Sequence, residues 1–351
     1  MAAVGAPGAL VLEKMPRIGR KIMITGKGRC NFTNVKPWQD FSLHVHPKAN
    51  ALRSAFHALT PEHLMEMFAQ AGLECIVERG ERAFPASHRA VDVVDTLERM
   101  VRRCGSSIRC NCAVTSIEKS AEGFVLGTST GDRYACKRLI ITCGGLSYPT
   151  TGSDGDGLKF ASALGHTVTR TYPSLTALVP KGYKEPSHVT GPLKKHIPRE
   201  TPLASLGSRL CGRSNKNVSV RLFIDGALVQ EDFGDVDFTD GGLEGPMGFK
   251  MSRRAVIALE NGSKAAVELA FKDGEKQRYD IEGFVGYERC VVTAGGVSID
   301  EIIPKTMASR IVEGLYFAGE VLDMDADTGG YNLHIAFCTG YLAGEAAANS
   351  L

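Results

Sequence analysis

Apolar runs that end in glycine or an acidic residue recur along the chain and predict buried strands. Four of them stand out: residues 10–12 before Glu13, residues 139–143 before Gly144-Gly145, residues 290–294 before Gly295-Gly296, and residues 314–318 before Gly319-Glu320. Continuous apolar strands of this length are typical of a sheet that is buried on both faces. Glycine at a strand end leaves bare backbone that a ligand can approach closely.

Apolar spacings of three and four residues predict helices between these strands. Thr60-Pro61-Glu62 combines a capping hydroxyl, a proline at the first helical position and an early acid, so a helix begins there and ends near Gly72. The same periodicity covers residues 90–103. A longer helix follows Gly329-Gly330, and its small residues predict close packing on a sheet.

Alternating apolar and polar positions predict β structure in the middle of the chain. Residues 110–117, 123–127 and 133–136 have the pattern of a small antiparallel meander. From about residue 173 to 288 the sequence shifts to short strand-like pieces joined by Asp-Gly turns, which indicates a second, β-rich domain inserted into the first. Residues 238–246 hold too many glycines for a strand and are predicted to form a loop.

Composition limits the number of domains and the kinds of partner that the sequence supports. A chain of 351 residues predicts about two domains, and 41 basic against 39 acidic residues leave a net charge of +2. That balance gives no global argument for a nucleic-acid or membrane partner. No apolar stretch reaches the roughly 18 residues of a membrane span, and no signal peptide is visible, so we expect a cytoplasmic protein. The ten cysteines form no metal-binding spacing, so no metal is predicted.

Two segments carry candidate binding chemistry on residue type alone. Residues 19–34 place Gly26 and Gly28 among basic and hydrogen-bonding side chains, which suits a pyrophosphate or the polar edge of a ring; a polar loop rich in turn residues is the alternative. Glu13 closes a strand, where a dinucleotide-binding fold holds a ribose, although such a residue is more often an ordinary strand-end charge.

The start of the last helix is the third candidate. The helix begins at Gly330-Tyr331-Asn332, and its positive end suits the negative charge that a reduced flavin ring develops. Together with the two glycine-ended strands before it, this pattern predicts flavin binding. No catalytic acid is identified: four residues qualify by position, and each is more readily a packing or cofactor contact than a proton donor. They are Cys30, Tyr148, Tyr331 and His334.

On residues 28–34 and residues 318–323, together with Gly329-Gly330-Tyr331-Asn332, the chain resembles the BaiN/YhiN-like family of bacterial FAD-dependent oxidoreductases. The resemblance implies that Glu13 meets the adenosine ribose and that Val114 lies near the adenine. It also implies that the last helix start meets the pyrimidine edge of the flavin. The full set of expected cofactor-binding residues is Glu13, Arg20, Lys21, Gly28, Arg29, Cys30, Asn31, Val114, Gly144, Gly145, Gly319, Glu320, Gly330, Tyr331 and Asn332.

The expected fold class is α/β. Residues 1–172 and 289–351 are predicted to form a discontinuous Rossmann-like FAD-binding domain, and residues 173–288 an inserted β-rich domain for substrate. Members of the family begin with a strand, a Gly-x-Gly-x-x-Gly turn and a helix, and this sequence starts after nearly all of that. The FAD-binding domain is therefore expected to be N-terminally incomplete.

The leading functional hypothesis is an FAD-dependent oxidoreductase that passes hydride from NAD(P)H through the flavin to an unsaturated or oxidised small molecule. The resemblance suggests a steroid- or bile-acid-like enone as substrate. No second dinucleotide fingerprint is visible, so NAD(P)H is expected as a transient donor, and the charge balance and hydropathy predict no nucleic-acid partner and no membrane span. The alternative is a shortened, non-catalytic flavoprotein that binds FAD weakly or not at all. A third hypothesis, an RNA-modifying flavoprotein, calls for a basic face that the composition does not require.

Overall fold

The computed structural model describes residues 1–186 and 193–350. Of the predicted inserted domain, residues 187–192 lie outside the described residues. The chain divides into two compact units: unit 1 comprises Met1–Arg170 with Gly295–Leu351, and unit 2 comprises Thr171–Ala294.

Ten α-helices are assigned in the described part of the chain, and most lie in unit 1. They are α1 (Ala2–Gly5), α2 (Arg20–Ile24), α3 (Trp38–Phe41), α4 (Arg53–Ala58), α5 (Pro61–Gln70), α6 (Ala90–Arg103), α7 (Asp156–Ala163), α8 (Ser205–Leu210), α9 (Gly245–Glu260) and α10 (Tyr331–Asn349). The predicted cap of α5 is confirmed, because the Thr60 hydroxyl accepts a hydrogen bond from the His63 N–H at 3.2 Å.

The strands are short in unit 1 and long in unit 2. They are β1 (Leu10–Leu12), β2 (Thr33–Asn34), β3 (Val45–His46), β4 (Cys75–Glu78), β5 (Arg82–Pro85), β6 (Ser107–Arg109), β7 (Val114–Ser120), β8 (Gly123–Thr128), β9 (Arg133–Cys136), β10 (Leu139–Ile141), β11 (Tyr172–Ser174), β12 (Leu178–Pro180), β13 (Ser214–Ile224), β14 (Ala227–Thr239), β15 (Gly242–Glu244), β16 (Ala265–Ala270), β17 (Lys276–Phe284), β18 (Val292–Ala294), β19 (Ile302–Ile303), β20 (Ala308–Ser309), β21 (Leu315–Phe317) and β22 (Asp325–Ala326).

Unit 1 contains two parallel strand pairs, of which β10–β21 joins two of the predicted apolar runs; the run at residues 290–294 instead provides β18 of unit 2, antiparallel to β11. Strand β1 pairs with β6, and β10 pairs with β21, both in parallel. Among the described strands, β1 and β10 each have one paired edge. The meander is confirmed as the antiparallel sheet β7-β8-β9, although its first strand begins at Val114 and leaves Cys110 and Cys112 in the preceding loop.

Helix α10 is largely buried at the centre of the packing of unit 1. It packs against α1, α4, β10 and β21, and its small residues permit this closeness. A Cβ atom added at Gly344 would lie 2.1 Å from the Ala2 carbonyl oxygen, and one added at Gly5 would lie 2.5 Å from the Tyr341 carbonyl oxygen. The small-residue face does pack closely, but Gly340 and Gly344 meet α1 and not the predicted sheet, because the short helix α1 lies against this face.

Unit 2 is built on a closed barrel of β12-β15-β14-β13-β16-β17, with α9 packed against it. The prediction of a loop at residues 238–246 is wrong, because this segment contains the end of β14, all of β15 and the start of α9. Glycine is required in this strand by crowding: Gly242 has φ +129, and a Cβ there would lie 2.3 Å from the Leu178 carbonyl oxygen.

The barrel core provides a stability prediction. Leu222 on β13 is fully buried, whereas Leu228 on β14 is about half exposed. We expect Leu222→Ala to lower the free energy of unfolding of unit 2 by about 3 kcal/mol, through lost burial and a cavity. Leu228→Ala should stay within about 0.5 kcal/mol of wild type. Urea denaturation of the full chain measures both; equal effects would contradict the assigned core.

Candidate functional site

The carboxyl ends of β1 and β10 are joined by an ion-pair cluster. The Lys14 ammonium, just after β1, donates to Asp154 in the loop after β10 at 2.5 Å and to Asp156, the first residue of α7, at 2.6 Å. The glycine-rich loop and the end of β1 therefore belong to one site, although their residues are 140 and 142 positions apart.

Glu13 has the surroundings expected of a group that meets a ligand hydroxyl. Its carboxylate accepts the Met15 N–H at 2.8 Å, and burial raises the pKa of the carboxyl, with that N–H bond opposing the rise. The positive charge of Arg20, at the start of α2, also lowers the pKa of the Glu13 carboxyl. The Glu13 carbonyl accepts from the Cys112 N–H at 2.9 Å, which places Val114 two residues from the contact.

Lys21 and Glu320 meet in space as part of a three-residue cluster. The Lys21 ammonium donates to the Glu320 carboxylate at 2.5 Å and also to the Ser147 hydroxyl, which in turn donates to Glu320. This brings together α2, the loop after β10 and the loop after β21. Ser147 is absent from the sequence-based set, since a lone serine in a polar loop gives no signal of a partner 173 residues away.

Glycines hold the loops of this cluster in place. Gly319 has φ +75, and its N–H donates to the Thr339 hydroxyl of α10 at 3.0 Å. Gly144 has φ +77, and a Cβ there would lie 2.6 Å from the Ser153 hydroxyl oxygen. The neighbouring Gly145 carbonyl accepts from the Gly155 N–H at 3.1 Å.

The segment around Gly28 separates into a surface part and a buried part. The Arg29 guanidinium donates to the Glu78 carboxylate and stacks 4.4 Å above the Phe84 ring, while Gly28 has open space around it. Cys30 is fully buried with φ +58. Asn31 follows, and its side-chain oxygen is buried with no hydrogen-bond partner among the described residues.

The N-terminus of α10 lies against this buried segment. Gly330 is the N-cap with φ +99, and a Cβ there would lie 2.4 Å from the Thr33 carbonyl oxygen and 2.8 Å from the Asn31 Oδ1. Asn332 does not point its amide outward, because the amide group accepts from the Ala326 N–H and donates to the Ala326 carbonyl, both at 2.8 Å. It braces the loop that leads into the helix.

Three of the four residues considered as catalytic acids are poor proton donors here. Burial raises the pKa of the Cys30 thiol to about 12 and raises that of the Tyr331 hydroxyl. Burial lowers the pKa of His334 to about 3, so this imidazole is neutral near pH 7. Tyr148 precedes the turn at Pro149–Thr151, next to the Ser147 cluster.

These features fit the ring end of a flavin. A buried, unpartnered Asn31 oxygen requires a donor, and the positive end of α10 lies beside it.

No group of three or more His, Cys, Asp or Glu side chains among the described residues is arranged to hold a metal ion. In the same part of the chain, no helix has both the length and the apolar character needed to cross a membrane.

The fold and this site together are those of a Rossmann-type, FAD-binding protein. The model of the HI0933-like protein Rossmann domain matches residues 1–346. The chain therefore belongs to this HI0933-like Rossmann family, a family of FAD-dependent oxidoreductases, and the family predicted from the sequence is confirmed.

Two characterised relatives align over nearly the whole chain. A 3-dehydro-bile acid delta(4,6)-reductase of Clostridium scindens is 28% identical, with 98% of this chain and 93% of the relative covered. A ribosomal RNA dihydrouridine synthase of Escherichia coli is also 28% identical, with 95% and 90% covered. Among solved structures, E. coli quinol fumarate reductase FrdA matches with a TM-score of 0.55 at 13% identity, over 99% of this chain and 67% of that one.

The crowding at Gly330 gives a testable stability difference. Gly330→Ala adds a methyl group against the Thr33 carbonyl, whereas Gly274→Ala introduces an equally unfavourable φ in open space. We expect Gly274→Ala to cost about 1 kcal/mol and Gly330→Ala to cost at least twice as much. Thermal unfolding midpoints measure the difference. Equal losses would mean that α10 does not begin in this crowded position.

Buried His334 makes stability depend on pH. The unfolded chain takes up a proton on this imidazole near pH 6.5, while the native state does so only near pH 3. Native stability is therefore unaffected above pH 6.5 and falls as the pH drops below it, by on the order of 2 kcal/mol at pH 5.

His334→Gln, which retains a polar group for Thr33, should remove this part of the decline. The exposed His63→Gln serves as the control and should leave the pH dependence unchanged. Urea titrations at pH 7 and pH 5 measure both slopes; the same decline in His334→Gln as in wild type would contradict the assignment.

Proposed function

We propose that this protein is an FAD-dependent reductase that adds hydride, taken from NAD(P)H, to a carbon–carbon double bond conjugated to a carbonyl group. The observation that carries the proposal is the unpartnered Asn31 oxygen facing the crowded N-terminus of α10. A buried acceptor without a donor costs about 1–3 kcal/mol, so a ligand that supplies the donor is strongly favoured there.

Different residues of unit 1 would contact different parts of the cofactor. Gly330, Tyr331 and Asn31 would meet the pyrimidine edge of the ring. Lys21 and Glu320 would lie along the phosphate and ribityl part, and Glu13 would accept from the ribose. The remaining expected contacts are Arg20, Gly28, Arg29, Cys30, Val114, Gly144, Gly145, Gly319 and Asn332.

The flavin would supply hydride chemistry, and the chain's own groups would tune it. The first N–H groups of α10 point toward the site and stabilise negative charge there. Lys21 adds a positive charge, half-buried and shared with Glu320. Tyr331, His334 and Cys30 are buried, so they would form an uncharged wall that excludes water from a bound ring.

The proposed substrate class is supported by what the names of the two relatives have in common. A delta-4 reductase acting on a 3-dehydro compound and a dihydrouridine synthase both saturate a carbon–carbon bond next to a carbonyl group. A steroid- or bile-acid-like enone is the substrate we favour, since the net charge of +2 gives no general attraction to RNA. A uracil base in RNA is the second candidate, supported by the names of the dihydrouridine synthase relatives.

A flavin titration tests the cofactor part. We expect added FAD to bind with quenched fluorescence and to bleach on addition of NADH or NADPH. Asn31→Leu should weaken FAD binding by about tenfold, the equivalent of one buried hydrogen bond, without lowering the thermal midpoint of the flavin-free protein. The exposed Asn50→Leu is the control and should bind like wild type. A folded protein that stays colourless with FAD would contradict the proposal.

A direct comparison of substrates tests the reaction. The flavin-loaded protein with NADPH or NADH is offered a 3-oxo-delta-4 steroid acid and, separately, unmodified ribosomal RNA. Mass spectrometry should detect the gain of two hydrogens in the steroid. The same gain in uridines alone would establish the second candidate, and a gain in neither would contradict the reaction class.

A further inference from the structure

An imidazole–carboxylate pair lies next to the start of α10, joining two distant parts of unit 1. The Nδ1 of His44 lies 2.9 Å from the Asp327 carboxylate, a residue 283 positions later. Asp327 is buried, whereas the His44 side chain is about one-quarter exposed. Within the described part of the chain, the other ring nitrogen, Nε2, has no hydrogen-bond partner. A carboxylate thus fixes the ring while its second nitrogen stays available.

The pair is held in place by backbone pairing and stacking. Strand β3 pairs with β22, and the Asp327 N–H donates to the His44 carbonyl at 3.0 Å. The His44 ring stacks on the Tyr331 ring, with 4.4 Å between centroids and 24° between planes. Tyr331 is the first residue of α10. His44 therefore lies one ring away from the backbone groups that are expected to hold the flavin.

His46 provides a natural comparison. Its Nε2 lies 3.4 Å from the other oxygen of the same Asp327 carboxylate, a longer contact, and no ring of α10 stacks on it. The two imidazoles share residue type and carboxylate partner, and they flank Val45 at the start of β3. They differ in their contact with the first residue of α10.

Reduction of a conjugated double bond requires a proton as well as hydride. Hydride adds to the β carbon, the electron pair of the double bond moves toward the carbonyl, and the α carbon then takes a proton. Cys30, Tyr331 and His334 are buried and cannot readily supply it. A carboxylate that contacts Nδ1 fixes the orientation of the imidazole and directs its Nε2 away. Such an imidazole is well suited to transfer a proton through Nε2.

We propose that His44 is the proton donor to the α carbon of the substrate and that Asp327 is the residue that positions it. The imidazolium form of His44 keeps its Nδ1–H on Asp327 and transfers the Nε2 proton as the α C–H bond forms; the neutral imidazole then regains the one proton that the reaction consumes from solvent. The overall reaction consumes one NAD(P)H and one proton and forms one saturated carbonyl compound and NAD(P)⁺. This inference rests on the proposed function.

Site-resolved labelling tests the location without relying on turnover. Diethyl pyrocarbonate modifies accessible imidazoles, and peptide mass spectrometry quantifies each one. We expect His44 to be labelled in the flavin-free protein and protected several-fold by FAD, while exposed His63 is labelled equally in both states. Equal labelling of His44 with and without FAD would overturn the proposal, since the ring would then face away from the cofactor site.

Variants test the role. His44→Gln should retain FAD binding and its reduction by NAD(P)H within about twofold, yet lower reduction of the 3-oxo-delta-4 steroid acid by about 100-fold or more. Asp327→Asn should give a smaller loss, and His46→Gln should stay near wild type. If His44→Gln reduces the steroid as fast as wild type, the proton donor lies elsewhere and the proposal fails.

The two levels of failure are distinguishable. A wild-type chain that binds no flavin, or holds flavin that NAD(P)H does not bleach, contradicts the proposed function and removes the basis of the inference. A wild-type chain that reduces the steroid with an unaffected His44→Gln variant contradicts the inference alone. If His44→Gln and His46→Gln lose the same amount of steroid-reducing activity, both histidines act by stabilising the pairing of β3 with β22. That result would also overturn the proposal.

Discussion

The structure of the site depends on how closely α10 begins against β2 and the residues just before it. Gly330 leaves no room for a side chain between itself and the Thr33 carbonyl. This contact places the start of the helix beside Asn31, whose Oδ1 would lie 2.8 Å from a Cβ at Gly330. The same closeness recurs at the other end of the helix, where Gly344 meets α1. A long helix of small residues is thereby fixed at both ends, which orients its positive terminus.

Burial determines the chemistry near that terminus. The imidazole of His334 is held neutral and the thiol of Cys30 is held protonated, because neither can carry charge out of contact with water. The charged groups lie further out, in the Lys21–Ser147–Glu320 and Lys14–Asp154–Asp156 clusters. An uncharged wall suits the ring of a flavin, and the two lysines would supply positive charge along the rest of an extended cofactor, although each is paired with carboxylates.

Sequence patterns predicted the elements better than the contacts among them. The apolar runs before Gly144 and Gly319 did become a parallel pair, and the fold class is confirmed, because burial on both faces leaves a clear pattern. The loop predicted at residues 238–246 is wrong because glycines normally disfavour strands, whereas Gly242 is required by crowding against Leu178 and Gly245 by crowding against Asp237. The pairs Ser147 with Glu320 and His44 with Asp327 have no local sequence pattern, because each joins residues far apart in the chain.

The most direct measurement of the central claim is a crystal structure of the protein with FAD. The account predicts the pyrimidine edge of the flavin within hydrogen-bonding distance of the first N–H groups of α10, with a donor on the Asn31 side-chain oxygen. A flavin bound elsewhere, or the protein's own side chains filling the space before Gly330, would contradict it.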